Sequence, residues 1–153
     1  MFKKIMNKKL LKNQKGLTLI ELLAVIVILA IIAAIAIPAI GNIIENSRYN
    51  AAKSDAINVI NAANLYFTDE GSKDGEEVDF KTLKTNKYLD NAGKFEDKDA
   101  EGIVKKVAGG NTLSGKVKYS GEKTVNFNAA TITVINDDKQ KGSAPGDKDI
   151  PKK

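Results

Sequence analysis

Of the 24 residues from 17 to 40 (LTLIELLAVIVILAIIAAIAIPAI), 21 are Ala, Val, Ile or Leu, and only Thr18, Glu21 and Pro38 interrupt the run. As a helix it reaches about 36 Å at ~1.5 Å per residue, enough for a hydrocarbon core of about 30 Å. A helix is the form that lipid permits, because each backbone polar group is satisfied within the segment. The many Ile and Val residues disfavour a helix in water. In lipid that bias is small beside the cost of unpaired backbone. The rod predicts a membrane-spanning segment and leaves the rest of the 153 residues to form one modest domain.

The flanks orient the rod. Residues 1–16 (MFKKIMNKKLLKNQKG) hold six lysines and no acid, whereas Glu45, Arg48, Lys53 and Asp55 cancel just beyond the run. The positive-inside rule puts the N-terminus in the cytoplasm and the remainder outside. The same division explains the net charge of +5 and the pI of about 9.2. Residues 17–153 carry 18 basic against 19 acidic side chains, so the excess belongs to the leader and is no argument for nucleic-acid binding. The chain has no His, Cys or Trp and only nine aromatic residues. That excludes His-dependent triads, thiol nucleophiles, Cys- or His-ligated metal and disulfides. No cofactor, metal or catalytic residue is marked, and nothing singles out a Ser/Lys or carboxylate pair for catalysis.

Three readings fit the N-terminus. A cleaved secretory signal has an apolar stretch of 7–15 residues, shorter than this one, although Ala34-Ile35-Ala36 has the small residues of a cut site. A plain signal anchor is the second. The third must account for Glu21, since an acidic side chain at mid-span costs roughly 2.5–3.5 kcal/mol, less near an end. Taken alone, Glu21 could sit at the interface or take a proton. Gln14-Lys15-Gly16-Leu17-Thr18-Leu19-Ile20-Glu21-Leu22-Leu23 resembles the class III signal of type IV pilins and pseudopilins: a basic leader ending in Gly, an apolar residue, a Glu shortly after, then a long apolar run. The likeness covers roughly residues 13–45. The first mature residue in that family is usually Phe; here it is Leu17.

The resemblance implies cleavage by prepilin peptidase between Gly16 and Leu17 and N-methylation of Leu17. It implies a filament-assembly role for Glu21, which in the family pairs with the N-terminal amine of a neighbouring subunit. It also implies a helix kink at Pro38. A proline without an amide hydrogen, with Gly41 close behind, is suited to a kink, and equally to marking the end of the span. Implied partners are further copies of the chain in a helical filament, prepilin peptidase, an assembly ATPase with its platform membrane protein, and the inner membrane before assembly.

Beyond the membrane, Ile43, Ile44, Ser47, Ala51, Ala52, Ala56, Val59, Ile60, Ala63, Tyr66 and Phe67 recur at helical spacing, so one helix is expected from about Leu17 to Phe67, with Gly71 as breaker. Residues 68–79 (TDEGSKDGEEVD) read as an acidic loop without calcium-loop spacing. Asp79 reads as the N-cap of a short helix carrying Phe80 and Leu83. Strands are expected at Ile103–Val107, Lys116–Tyr119, Thr124–Asn128 and, most strongly, Thr131–Ile135, with turns at Gly109-Gly110, Gly115 and residues 120–123. Lys105, Lys106, Lys116, Lys118 and Lys123 read as a solvated sheet face, with DNA contact as an unsupported alternative.

The expected fold is α+β: a long N-terminal helix, half transmembrane and half amphipathic, packed on a small antiparallel sheet, the type IV pilin fold. Its parts are a leader (1–16), a transmembrane or filament-core helix (17–45), a globular domain (46–135) and a flexible tail (136–153). The expected function is a non-enzymatic structural subunit of a type IV pilus for adhesion, twitching motility or biofilm. It starts as a single-pass cytoplasmic-membrane precursor and ends in an extracellular pilus. Pilins of many diderm bacteria close their C-terminal region with a disulfide, so a cysteine-free chain fits a Gram-positive source. The alternative within the family is a pseudopilin of a type II secretion or competence DNA-uptake system. Outside it, the alternative is a bitopic membrane protein that never assembles.

Overall fold

The structure, a computed structural model, describes residue 16 and residues 18–152. The leader up to residue 15 and Leu17 lie outside the described residues. The chain divides into two compact units, Met1–Ile40 and Gly41–Lys153, and the helix α1 (Leu19–Asp69) contributes to both.

In the first unit α1 stands without cover. Its large apolar side chains, from Leu19 through Ile40, are exposed, the kind of continuous apolar surface that marks a membrane or protein contact. The helix is long and apolar enough to cross a membrane. Pro38 lies inside α1, and helix continues on both sides of it.

In the second unit α1 buries Tyr49, Ala52, Ala56, Val59, Ile60, Ala62, Ala63 and Phe67. Small residues on this face let the sheet approach closely. The helix ends at Asp69 because Gly71 adopts a left-handed φ of 61°, which lets the Ser72 N–H reach the Phe67 carbonyl at 3.1 Å. Asp79 caps the next helix, α2 (Phe80–Thr85): its carboxylate accepts from the Thr82 N–H at 2.7 Å, and Thr82 holds that carboxyl below its usual range.

The sheet has five strands in the order β1 (Glu77–Asp79), β2 (Glu101–Lys105), β3 (Thr112–Ser120), β4 (Lys123–Ala130) and β5 (Lys148–Ile150). β1 to β4 pair antiparallel with one another, and β5 is parallel to β4. Val117, Tyr119, Val125 and Phe127 point into the core, as their alternation predicts. Phe95, from a short 3-10 helix (Gly93–Glu96), joins them with its ring centroid 6.0 Å from that of Phe127.

Four expectations are corrected here. Glu77–Asp79, read as the end of a loop, is an edge strand paired with Ile103–Lys105. Gly115 lies inside β3 opposite Gly102, not in a turn: a Cβ there would meet the Glu101 carbonyl. Thr131–Ile135, the strongest strand by composition, is instead a short helix, α3 (Ile132–Asp137), with Thr131 as N-cap to the Val134 N–H at 3.3 Å. β-branched residues suit a pleated, half-buried surface rather than demand one. Here β4 runs through Ala129, whose φ is positive, to Ala130, and the Thr131 hydroxyl then caps a helical turn.

The fourth correction concerns the segment from Asn136 on, expected to be a flexible tail. It crosses α1 and returns to the sheet as β5. Asp138 accepts from the Tyr49 hydroxyl at 2.7 Å, and its side chain meets Lys53 Nζ at 3.2 Å. Ser143 N–H donates to Asn46 Oδ1 at 2.9 Å, and the Tyr119 hydroxyl donates to the Gly142 carbonyl at 2.9 Å. These polar residues have partners across the chain, which local composition does not show. A Cβ on Gly142 would lie 2.5 Å from the Tyr49 Cβ and 2.6 Å from the Glu45 carbonyl oxygen. Gly142→Ala is therefore expected to cost about 1–3 kcal/mol of stability, read as a lower urea midpoint for the full chain in detergent.

Candidate functional site at the head of the long helix

Gly16 is exposed, lies outside regular structure, and has open space where a Cβ would stand. The helix begins three residues later. Thr18 carries its N-cap: the Glu21 N–H donates to the Thr18 hydroxyl oxygen at 3.2 Å, and the Thr18 N–H donates to Glu21 Oε2 at 2.8 Å. The Thr18 hydroxyl also donates to Glu21 Oε2 at 2.7 Å. This reciprocal pair is a capping box, the Thr-x-x-Glu arrangement that satisfies two amide donors at a helix start. The Leu22 N–H to Thr18 carbonyl bond, 3.0 Å, opens the helical ladder.

The site thus joins two of the residues singled out from the sequence, Gly16 and Glu21, within one short stretch. Pro38 lies far along α1, and Leu17 lies outside the described residues. Sequence reasoning missed Thr18. The signal was present, since Thr18 and Glu21 have capping-box spacing just ahead of an apolar run. The carboxylate also sits at the positive end of the helix dipole, a second reason for an acid there. Glu21 therefore has local work within one chain: it holds the first turn of a helix whose neighbouring side chains are apolar and exposed.

The sheet lysines form no free basic patch. Lys105 pairs with Glu77 at 3.5 Å, Lys118 with Glu122 at 3.3 Å and Asp99 at 3.7 Å, and Lys123 with Glu45 at 2.7 Å. Lys106 Nζ donates to the Ser72 carbonyl at 2.5 Å, and Lys116 stands opposite Glu101 in the sheet register. With counter-charges beside Lys105, Lys118 and Lys123, this face has less to offer a phosphate backbone than its lysine count suggests. The acidic loop is likewise partly engaged, with Asp69 accepting from the Tyr88 hydroxyl at 3.1 Å.

A long helix with an apolar first half and a mostly antiparallel five-stranded sheet on its second half is a pilin-like α+β fold. Residues 11–37 match the family model described as the prokaryotic N-terminal methylation motif, so the chain carries the signal segment that type IV pilins and pseudopilins share. No curated protein and no solved structure matches the chain.

Proposed function

We propose that the protein is the structural subunit of a type IV pilus. The observation that carries this reading is the coincidence of the methylation motif with an exposed, non-helical Gly16 and a helix that starts only after Thr18. A peptidase binds its substrate extended, and Gly16 lies outside the helix that Thr18 caps. Prepilin peptidase cuts that bond at the cytoplasmic face, and Leu17 receives the methyl group. The leader lysines hold the cut site at the membrane surface. The mature chain waits in the membrane, N-terminus inside, until an ATPase acting through a platform protein lifts it into a filament. There the apolar first unit exchanges lipid for other copies of itself, while Glu21 meets the Leu17 amine of a neighbour. Pro38 softens α1 during that exchange, because it leaves the Ala34 carbonyl without a helical partner. The subunit works by repetition, without catalysis.

Electron microscopy of material sheared from intact cells, with N-terminal sequencing of the filaments, tests the proposal. Filaments whose subunits begin at Leu17 are the expected result. A mature start at Ile37 would instead mean ordinary secretion, and a processed subunit that never leaves the envelope would favour the pseudopilin.

A further inference from the structure

Lys148 is buried, with 4 % of its surface exposed. Its Nζ donates to three successive main-chain carbonyls, those of Ala144 at 3.0 Å, Pro145 at 3.2 Å and Gly146 at 2.8 Å. An ammonium has three N–H donors, so its donor capacity is met in full, and by neutral oxygens. The adjacent carboxylate, Asp147, accepts from the Thr124 N–H at 2.9 Å. A buried charge is costly unless every donor is met, and a lysine that only filled space would be poorly chosen here. Three backbone carbonyls converging on one point are the kind of ligand set with which a protein backbone holds a hard cation.

We infer that the carbonyls of Ala144, Pro145 and Gly146 form a cation cradle whose resident ion is the chain's own Lys148 ammonium. The loop of residues 141–147 folds around this tethered ion. The cradle stands next to the bonds that tie the loop to α1 and β3, Ser143 N–H to Asn46 and the Tyr119 hydroxyl to Gly142. The ion thus does for this cysteine-free segment what a crosslink does elsewhere. The ligand class is set by the geometry: a small cation with N–H donors, such as ammonium or methylammonium, fits the cradle once the side chain is removed.

The test uses the full chain in detergent micelles, with hydrogen exchange followed at residues 141–147. In Lys148→Ala and in Lys148→Met these amides exchange about tenfold faster than in the wild type, while those of β3 and β4 keep their protection. Ammonium or methylammonium restores protection to Lys148→Ala in a saturable way; tetramethylammonium, which has no N–H, does not. Lys148→Met, whose side chain still fills the space, is not restored. Should Lys148→Ala lose the sheet, Lys148→Met alone decides. Wild-type protection in Lys148→Met would show that the stem holds the loop and would overturn the inference. So would the absence of saturable restoration in a folded Lys148→Ala, or equal restoration by tetramethylammonium.

Discussion

Cells carrying Glu21→Ala are expected to make the processed subunit at the wild-type level and to release no filaments on shearing. The carboxylate has two tasks that must be separated. Within one chain it closes the capping box with Thr18, and losing such a cap costs about 1 kcal/mol. In the proposed assembly it pairs with a neighbour's amine inside an apolar surround. Removing one partner of a desolvated pair costs about 3–5 kcal/mol, and that cost recurs at every subunit. Two further variants separate the tasks. Thr18→Val removes the hydroxyl cap and keeps the charge, so filaments should persist. Glu21→Gln keeps an oxygen for the Thr18 N–H and removes the charge, so filaments should be absent. Normal filaments in Glu21→Gln would assign the requirement to the cap.

The largest effect on stability is expected at Asp138. Its carboxylate accepts from the Tyr49 hydroxyl at 2.7 Å and the Gln140 amide at 2.7 Å and faces Lys53 at 3.2 Å, while the side chains of Lys53 and Asp138 are only 13% and 7% exposed. Asp138→Ala leaves the Lys53 ammonium its 2.7 Å bond to the main-chain carbonyl of residue 138 but removes its counter-charge in a nearly dry place, and should cost about 3–5 kcal/mol in urea unfolding at neutral pH. The pH dependence has a definite sign. Burial pushes the Asp138 carboxyl up, but hydrogen bonds from Gln140, Tyr49 and Lys53, with the lysine's charge, outweigh it and hold the group below its usual range. The stability it contributes is complete above about pH 4, the unfolded value, and is lost as pH falls through the lower folded one. The gap between wild type and Asp138→Ala should therefore shrink on acidification below about pH 4.

Features carried by local pattern were legible in the sequence. The apolar rod, the Asp79 cap and the alternation around Val117 and Phe127 are all set by neighbours a few positions apart. Features decided by distant partners were not. Thr131–Ile135 has strand composition, yet β4 stops at Ala130 and the Thr131 hydroxyl caps a helix at the Val134 N–H. Residues 136–150 look polar and unstructured until Asn46, Tyr49 and Lys53 are placed against them. At the candidate site the family signature was visible in Gly16 and Glu21. The role of Thr18 needed the geometry of the first turn.

The crossing of α1 by the C-terminal segment bears on when the domain can be completed. Tyr49 and Asp138 are 89 positions apart, and Asn46 and Ser143 are 97 apart. Contacts of such separation form late, since the intervening chain must be closed first. In the proposed precursor, Glu45–Lys53 is delivered across the membrane before residues 138–150. In that order the helix stretch Glu45–Lys53 waits, unfinished, for the segment from residue 138 to emerge. A chain stopped at residue 136 would leave Tyr49 and Lys53 without their partner at Asp138, a state open to proteases before the domain can close.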